Sequence, residues 1–167
     1  MTEIIDRNYL EINSIDDLID SSSAELNCSI NLEKISDFQV NKFFYKNVGR
    51  KHRWTDRLIW SEEDWIKYVS NPKVETYVLK LENDLAGYFE LIIHSDLQEI
   101  EIAYFGLLEE YQNKKLGSYL LSRAIEISFE NKIDRVWLHT CSLDHKNALN
   151  NYIDRGMKIF KTETVII

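Results

Sequence analysis

Residues 100–108 form an apolar, strand-like run. It passes through the polar turn Gln112-Asn113-Lys114-Lys115-Leu116-Gly117-Ser118 into an amphipathic stretch, residues 117–130, with helical spacing. This strand–turn–helix unit constrains the fold more than any other part of the chain. A strand that feeds a tight polar turn at a helix start builds an anion site, because unpaired backbone N–H groups and the positive end of the helix dipole point at whatever docks there. Two lysines in the turn, Lys114 and Lys115, point to a phosphate-bearing ligand.

The 167 residues, 44% of them hydrophobic, suffice for one continuous core and are too few for two comfortable ones. One proline and five glycines leave no low-complexity linker. A net charge of −8 argues against nucleic acid as the main partner. The basic run Arg50-Lys51-His52-Arg53 beside Trp54 reads as a solvated face. Cys28 and Cys141 belong to no ligand-spaced cluster, so zinc is not expected. No apolar run reaches the roughly 18 residues of a membrane span, and the polar start Met1-Thr2-Glu3 is unlike a signal peptide. These features predict a cytoplasmic protein with reduced thiols and no membrane partner.

Along the chain, residues 4–12 read as a strand, 15–26 as a short helix and 28–35 as a strand. Phe43, Phe44, Tyr45 and Val48 suggest a helix stopped by Gly49. Ser61, followed by Glu62, Glu63 and Asp64, is a helix start that Pro72 later closes off. The pattern then changes to strands. Residues 74–81 and 86–94 pair as a hairpin about an Asn83-Asp84 turn, and a break at Ser95-Asp96 leads to the strand 100–108, giving an antiparallel meander. The helix after the polar turn has an apolar stripe of Leu116, Leu120, Leu121, Ala124 and Ile125. The strand 136–141 beyond it should therefore run parallel to 100–108 in a β-α-β unit. Ala148, Leu149, Tyr152 and Ile153 mark a last helix, Gly156 its C-terminal cap, and 157–167 a final strand or strand pair.

Neither GxxxxGK[ST] nor GxGxxG is present, so the turn is not a P-loop or a dinucleotide-binding loop. From about Val74 onward the chain instead resembles the GNAT family of acyl-CoA-dependent N-acetyltransferases. Gln112 and Gly117 sit in register with the family's Q/R-x-x-G-x-G/A pyrophosphate turn, and Ala148, Tyr152 and Gly156-Met157 are similar to its A-x-x-x-Y-x-x-x-G-F ending. Two positions depart from the pattern. Lys115 stands where the first glycine usually lies, and His145 where an asparagine that contacts CoA is common.

The resemblance implies an α+β fold with a mixed, mostly antiparallel central sheet flanked by helices and a β-α-β acyl-CoA-binding unit. It implies one domain over 1–167, with 1–73 as the variable acceptor-side part and 74–167 as the acyl-CoA-binding core, acting as a monomer or homodimer. Acetyl-CoA is the implied cosubstrate and an amine, small or peptidic, the implied acceptor. The cofactor would be held by Gln112, Asn113, Lys114, Lys115, Leu116, Gly117 and Ser118, together with His145 and Asn147. Each lysine either reaches a CoA phosphate or points into water. Main-chain N–H groups at Phe105, Gly106 and Leu107 would supply the oxyanion donor at a strand bulge, a place that Gly106 suits.

Acetyl transfer to an amine also needs a base and an acid. Glu101, eleven residues before Gln112, is the first candidate base and Glu90 the second; were the two close, their repulsion would raise one pKa toward neutrality. Tyr152 is the candidate acid for the departing thiolate, its other role being a core aromatic. Tyr45, Trp54, Asp56 and Trp60, with Arg57 among them, form either an aromatic pocket for a cationic amine or part of the core. His139 and Cys141 read as packing residues. The rival to an enzyme is a non-catalytic acyl-CoA-binding regulatory module of the same fold.

Overall fold

The structure, a computed structural model, describes residues 2–21 and 29–167. Among the described residues, seven strands form one sheet in the order β2-β3-β4-β5-β6-β1-β7. These are β1 (Ile4–Ile12), β2 (Ile30–Ile35), β3 (Val74–Leu81), β4 (Asp84–His94), β5 (Glu99–Leu107), β6 (Arg135–Cys141) and β7 (Lys158–Ile166). The α-helices of the described residues are α1 (Phe38–Gly49), α2 (Glu62–Val69), α3 (Leu116–Phe129) and α4 (Ala148–Asp154). Only β5 and β6 pair in parallel, as their connection through α3 requires; every other neighbouring pair is antiparallel.

Strand alternation sends side chains to two cores. Leu79, Phe89, Ile100, Ile102 and Leu138 pack with α3 and α4 on one face, whereas Val78 and Tyr88 meet Phe44 and Val48 of α1 on the other. The stripe expected on α3 is buried, with Leu116, Leu120, Leu121, Ala124 and Ile125 fully enclosed. Ser61 caps α2 in a capping box closed by Asp64, as the Ser-x-x-acid spacing demands. Gly156 has φ +103°, and a Cβ there would lie 2.2 Å from Asp17 O, so glycine is needed for both conformation and space.

Three expectations shift. The β3–β4 turn is Glu82-Asn83, one residue earlier than expected, with both residues at positive φ (49° and 71°), the pair of signs that matches strand twist in a two-residue hairpin loop. Of the helix expected at 15–26, only a 3₁₀ turn at Ile15–Asp17 is present among the described residues; Leu26 and Cys28 lie outside them. The final strand does not pair with itself. β7 lies against β1, which is inserted between it and β6, so the two ends of the chain meet at Glu3 and Ile167.

Candidate active site

The β5–β6 pairing ends early. Register holds only for Glu99–Glu101 against Arg135–Trp137, after which β6 continues along β1 and β5 along β4. Ala103 is an extra residue between Ile102 and Tyr104, which pair with Leu91 and Glu90. This bulge bends β5 away from β6. It lies two residues before the expected place, and Gly106 serves another purpose: a Cβ there would lie 2.3 Å from Val48 Cγ1, so glycine admits α1 against the strand. The Leu108 N–H donates to Ala86 O at 2.8 Å, which sets the phase of the ladder. By alternation, the Phe105 and Leu107 N–H groups face away from β4 into the gap.

A cleft of about 810 Å³ fills that gap and extends on both sides. At one end lies the polar turn. Asn113 and Lys115 both adopt left-handed conformations, φ 62° and 61°, so Lys115 takes the backbone state that a glycine would take without strain. The first bond into α3 is from Tyr119 N–H to Lys115 O at 3.3 Å, which leaves the first-turn N–H groups of Leu116, Gly117 and Ser118 beyond the reach of any helical carbonyl. Gln112 Nε2 donates to Leu107 O at 3.5 Å and braces the turn against β5. A Cβ on Gly117 would meet nothing nearer than Asn151 Nδ2 at 3.7 Å, so packing does not demand this glycine and the space beside it is open. Asn151 Oδ1 is buried there without a partner. Bare amides, an open glycine and an orphaned polar atom fit a diphosphate and its polar arm.

Gln112, Asn113, Lys115, Gly117 and Ser118 line this end, with His145 and Asn147 beside them. Two expected residues do not. The Leu116 side chain is wholly in the core, leaving only its amide for a ligand, and Lys114 lies outside the lining, its ammonium 5.9 Å from the Tyr111 ring centroid. Tyr152 lies where α4 meets the gap, edge-on to Phe105 at 6.3 Å. Burial, aided by Asp144, pushes its phenol well above the usual range, so it remains protonated at neutral pH.

At the other end, Glu101 lines the cleft on the face opposite Ile100 and Ile102. His94 Nε2 lies 3.1 Å from Glu101 Oε1, and the His94 ring stacks on Trp137. His94 escaped sequence reasoning, because only the β4–β5 register brings it to Glu101. Trp54 and the exposed Asp56 also line the cleft.

Glu90 is not available as a base. It is fully buried and accepts hydrogen bonds from Asn41 Nδ2 (2.8 Å), Tyr68 Oη (3.1 Å) and Arg57 Nη1 (2.9 Å to Oε2). Arg57 matches its charge within this closed network. The aromatic pocket expected to hold a substrate cation is filled from within: the Arg57 guanidinium carbon lies 4.1 Å from the Tyr68 and Tyr104 centroids, 4.7 Å from Trp60 and 5.8 Å from Tyr45. Tyr45 is buried, its hydroxyl accepting the Arg57 N–H at 3.0 Å, and neither Tyr45 nor Trp60 lines the cleft. Both therefore belong to the wall behind the site. His139 and Cys141, expected to be packing residues, instead form part of the cleft floor.

The model of the acetyltransferase (GNAT) family matches residues 33–157. The chain belongs to this family. Several solved structures share the fold at low identity. A GCN5-related N-acetyltransferase from Kribbella flavida superposes with a TM-score of 0.68 at 15% identity, over 99% of this chain and 58% of that one. A functionally unknown conserved protein from Staphylococcus epidermidis ATCC 12228 gives 0.65 at 17% identity, over 99% and 62%. The chain thus spans about three fifths of the length of each. An IAA acetyltransferase from Bacillus cereus ATCC 14579 gives 0.60 at 22% identity, over 80% and 79%. No curated protein sequence matches. The GNAT match ends before β7 and begins after β1, so the strands that close the sheet lie outside it. Among the described residues, no helix is long and apolar enough to cross a membrane.

Proposed function

We propose that this GNAT protein is a cytoplasmic N-acetyltransferase that moves an acetyl group from acetyl-CoA directly to an amine. The observation that carries this reading is the single cleft running from the bare amides at the start of α3, through the β5–β6 gap, to Glu101. Acetyl-CoA would supply an activated thioester, held by the 112–118 turn with Lys115, Asn151 and the His145–Asn147 loop around it.

The chain's own groups divide the remaining work. Glu101, hydrogen-bonded to His94, accepts the proton that an attacking amine nitrogen must lose, directly or through one water. The Phe105 and Leu107 N–H groups offer fixed dipoles where negative charge develops on an acyl oxygen. Tyr152, kept neutral by burial, holds a proton for a leaving sulfur. Trp54 and the exposed Asp56 line the cleft, and the Asp56 charge favours the approach of a cationic amine before deprotonation.

Calorimetry with CoA combined with steady-state kinetics on an amine panel tests the proposal. Binding with turnover supports it. Binding without turnover on any amine assigns the non-catalytic regulatory module instead, and absence of CoA binding removes both.

A further inference from the structure

If an amine is acetylated at Glu101, Arg7 limits what that amine is attached to. Arg7 lies on β1 opposite Cys141 of β6 and Glu163 of β7, and it lines the cleft. Its Nε–H is buried without a hydrogen-bond partner. Glu163, its cross-strand neighbour, is engaged by Lys161 Nζ at 2.5 Å and by the Tyr9 hydroxyl at 3.0 Å. The other cleft arginines are matched, Arg57 by Glu90 and Arg53 by Glu3. Arg7 has no such ion pair among the described residues. Glu163 offers Arg7 a charge at longer range only, its oxygens being taken by Lys161 and Tyr9, and a partly desolvated guanidinium without a hydrogen-bonded anion is costly unless one completes it.

The same floor carries the opposite charge elsewhere. Glu101 is level with Trp137, four residues back along β6 from Cys141, and Arg7 is one strand further over. Two strand spacings and four residue rises put the Glu101 and Arg7 α-carbons on the order of 16 Å apart, and side chains on one face can lean inward to narrow the gap between their charges. An acceptor that meets both groups must bridge the separation that remains between their charges, which favours an amine and a carboxylate set apart along a chain.

We propose that the acceptor is an elongated amino-carboxylate, with its amine at Glu101 and its carboxylate on the Arg7 guanidinium. A planar guanidinium suits a carboxylate through paired N–H donors. A phosphate of the cosubstrate is the other anion in reach of the cleft. The bare amides that fit it lie on α3, which packs on the opposite face of the sheet from Arg7, whereas the His145–Asn147 loop follows Cys141 beside Arg7; the CoA affinity of an Arg7 variant therefore separates the two anions.

The test is calorimetric titration of triglycine and of triglycine amide into the protein saturated with CoA; three extended residues span about 10 Å. The wild-type protein should bind the acid roughly tenfold to a hundredfold more tightly than the amide. Arg7→Met should erase that preference and leave CoA affinity unchanged, and Arg7→Lys should retain part of it. Equal affinity for the two peptides, no binding of the acid, or a loss of CoA affinity in Arg7→Met would each overturn the proposal. Failure of the transfer reading shows differently. The acid preference would persist in binding and vanish with Arg7→Met, yet no acetylated peptide would form, and the carboxylate site would stand without the reaction.

Discussion

The two ends of the cleft are built by different means. At the α3 end, the unpaired groups are main-chain amides of three consecutive residues, and the conformation is local: two left-handed residues and a helix start. Along the rest of the cleft, each group comes from a different element, with Glu101 on β5, His94 on β4, Arg7 on β1, His139 on β6 and Trp54 after α1. Behind that wall, a buried ion pair joins the loop before α2 to β4. A backbone cradle tolerates changes of side chain, whereas an assembled wall depends on each contact. The Lys115 departure illustrates the first case, since the turn keeps its left-handed backbone with lysine in place of glycine.

Breaking the assembled wall should have the largest effect. Glu90→Ala leaves Arg57 buried without its carboxylate and should cost about 3–5 kcal/mol in urea unfolding. A stable variant with only a kinetic defect would return Glu90 to the role of base. Glu101→Gln should lower kcat on the order of 10³-fold with unchanged unfolding, as loss of a base does. Its alkaline limb should be less affected than its plateau. Tyr152→Phe should lower kcat on the order of 10²-fold, the lower end for a general acid. Because the folded phenol titrates above the ordinary value of about 10, the wild-type rate should not fall through loss of this proton as pH rises to 10. The backbone cradle should respond least. Lys115→Gly should raise stability by about 1 kcal/mol by relieving the left-handed residue, and should raise the KM for acetyl-CoA roughly threefold through loss of a solvent-exposed charge.

Much of the architecture was legible because its signals are local. Alternation marked β3, β4 and β5, Ser61 and Asp64 marked the start of α2, and the intervening α3 required β5 and β6 to be parallel. The turn into α3 was legible for the same reason, as a strand end followed by a helix start. The Glu101 end of the cleft was not. Tyr45, Trp60 and Arg57 looked like a pocket for a foreign cation, because aromatic residues beside a carboxylate carry no mark of whether the chain itself supplies the cation. Glu90 and Glu101 look equivalent on neighbouring strands. Strand phase and the Ala103 bulge place one in a closed network and the other in the cleft.

The sequence alone determined what short-range physics controls: the meander, the helix caps, and a helix start with unpaired amides after β5. Tertiary structure decided which strand closes the sheet beside β6, where β5 parts from it, and which charges are matched internally. These outcomes depend on contacts between residues as far apart as Arg7 and Cys141 or Arg57 and Glu90, whose energies arise only after the chain has brought them together.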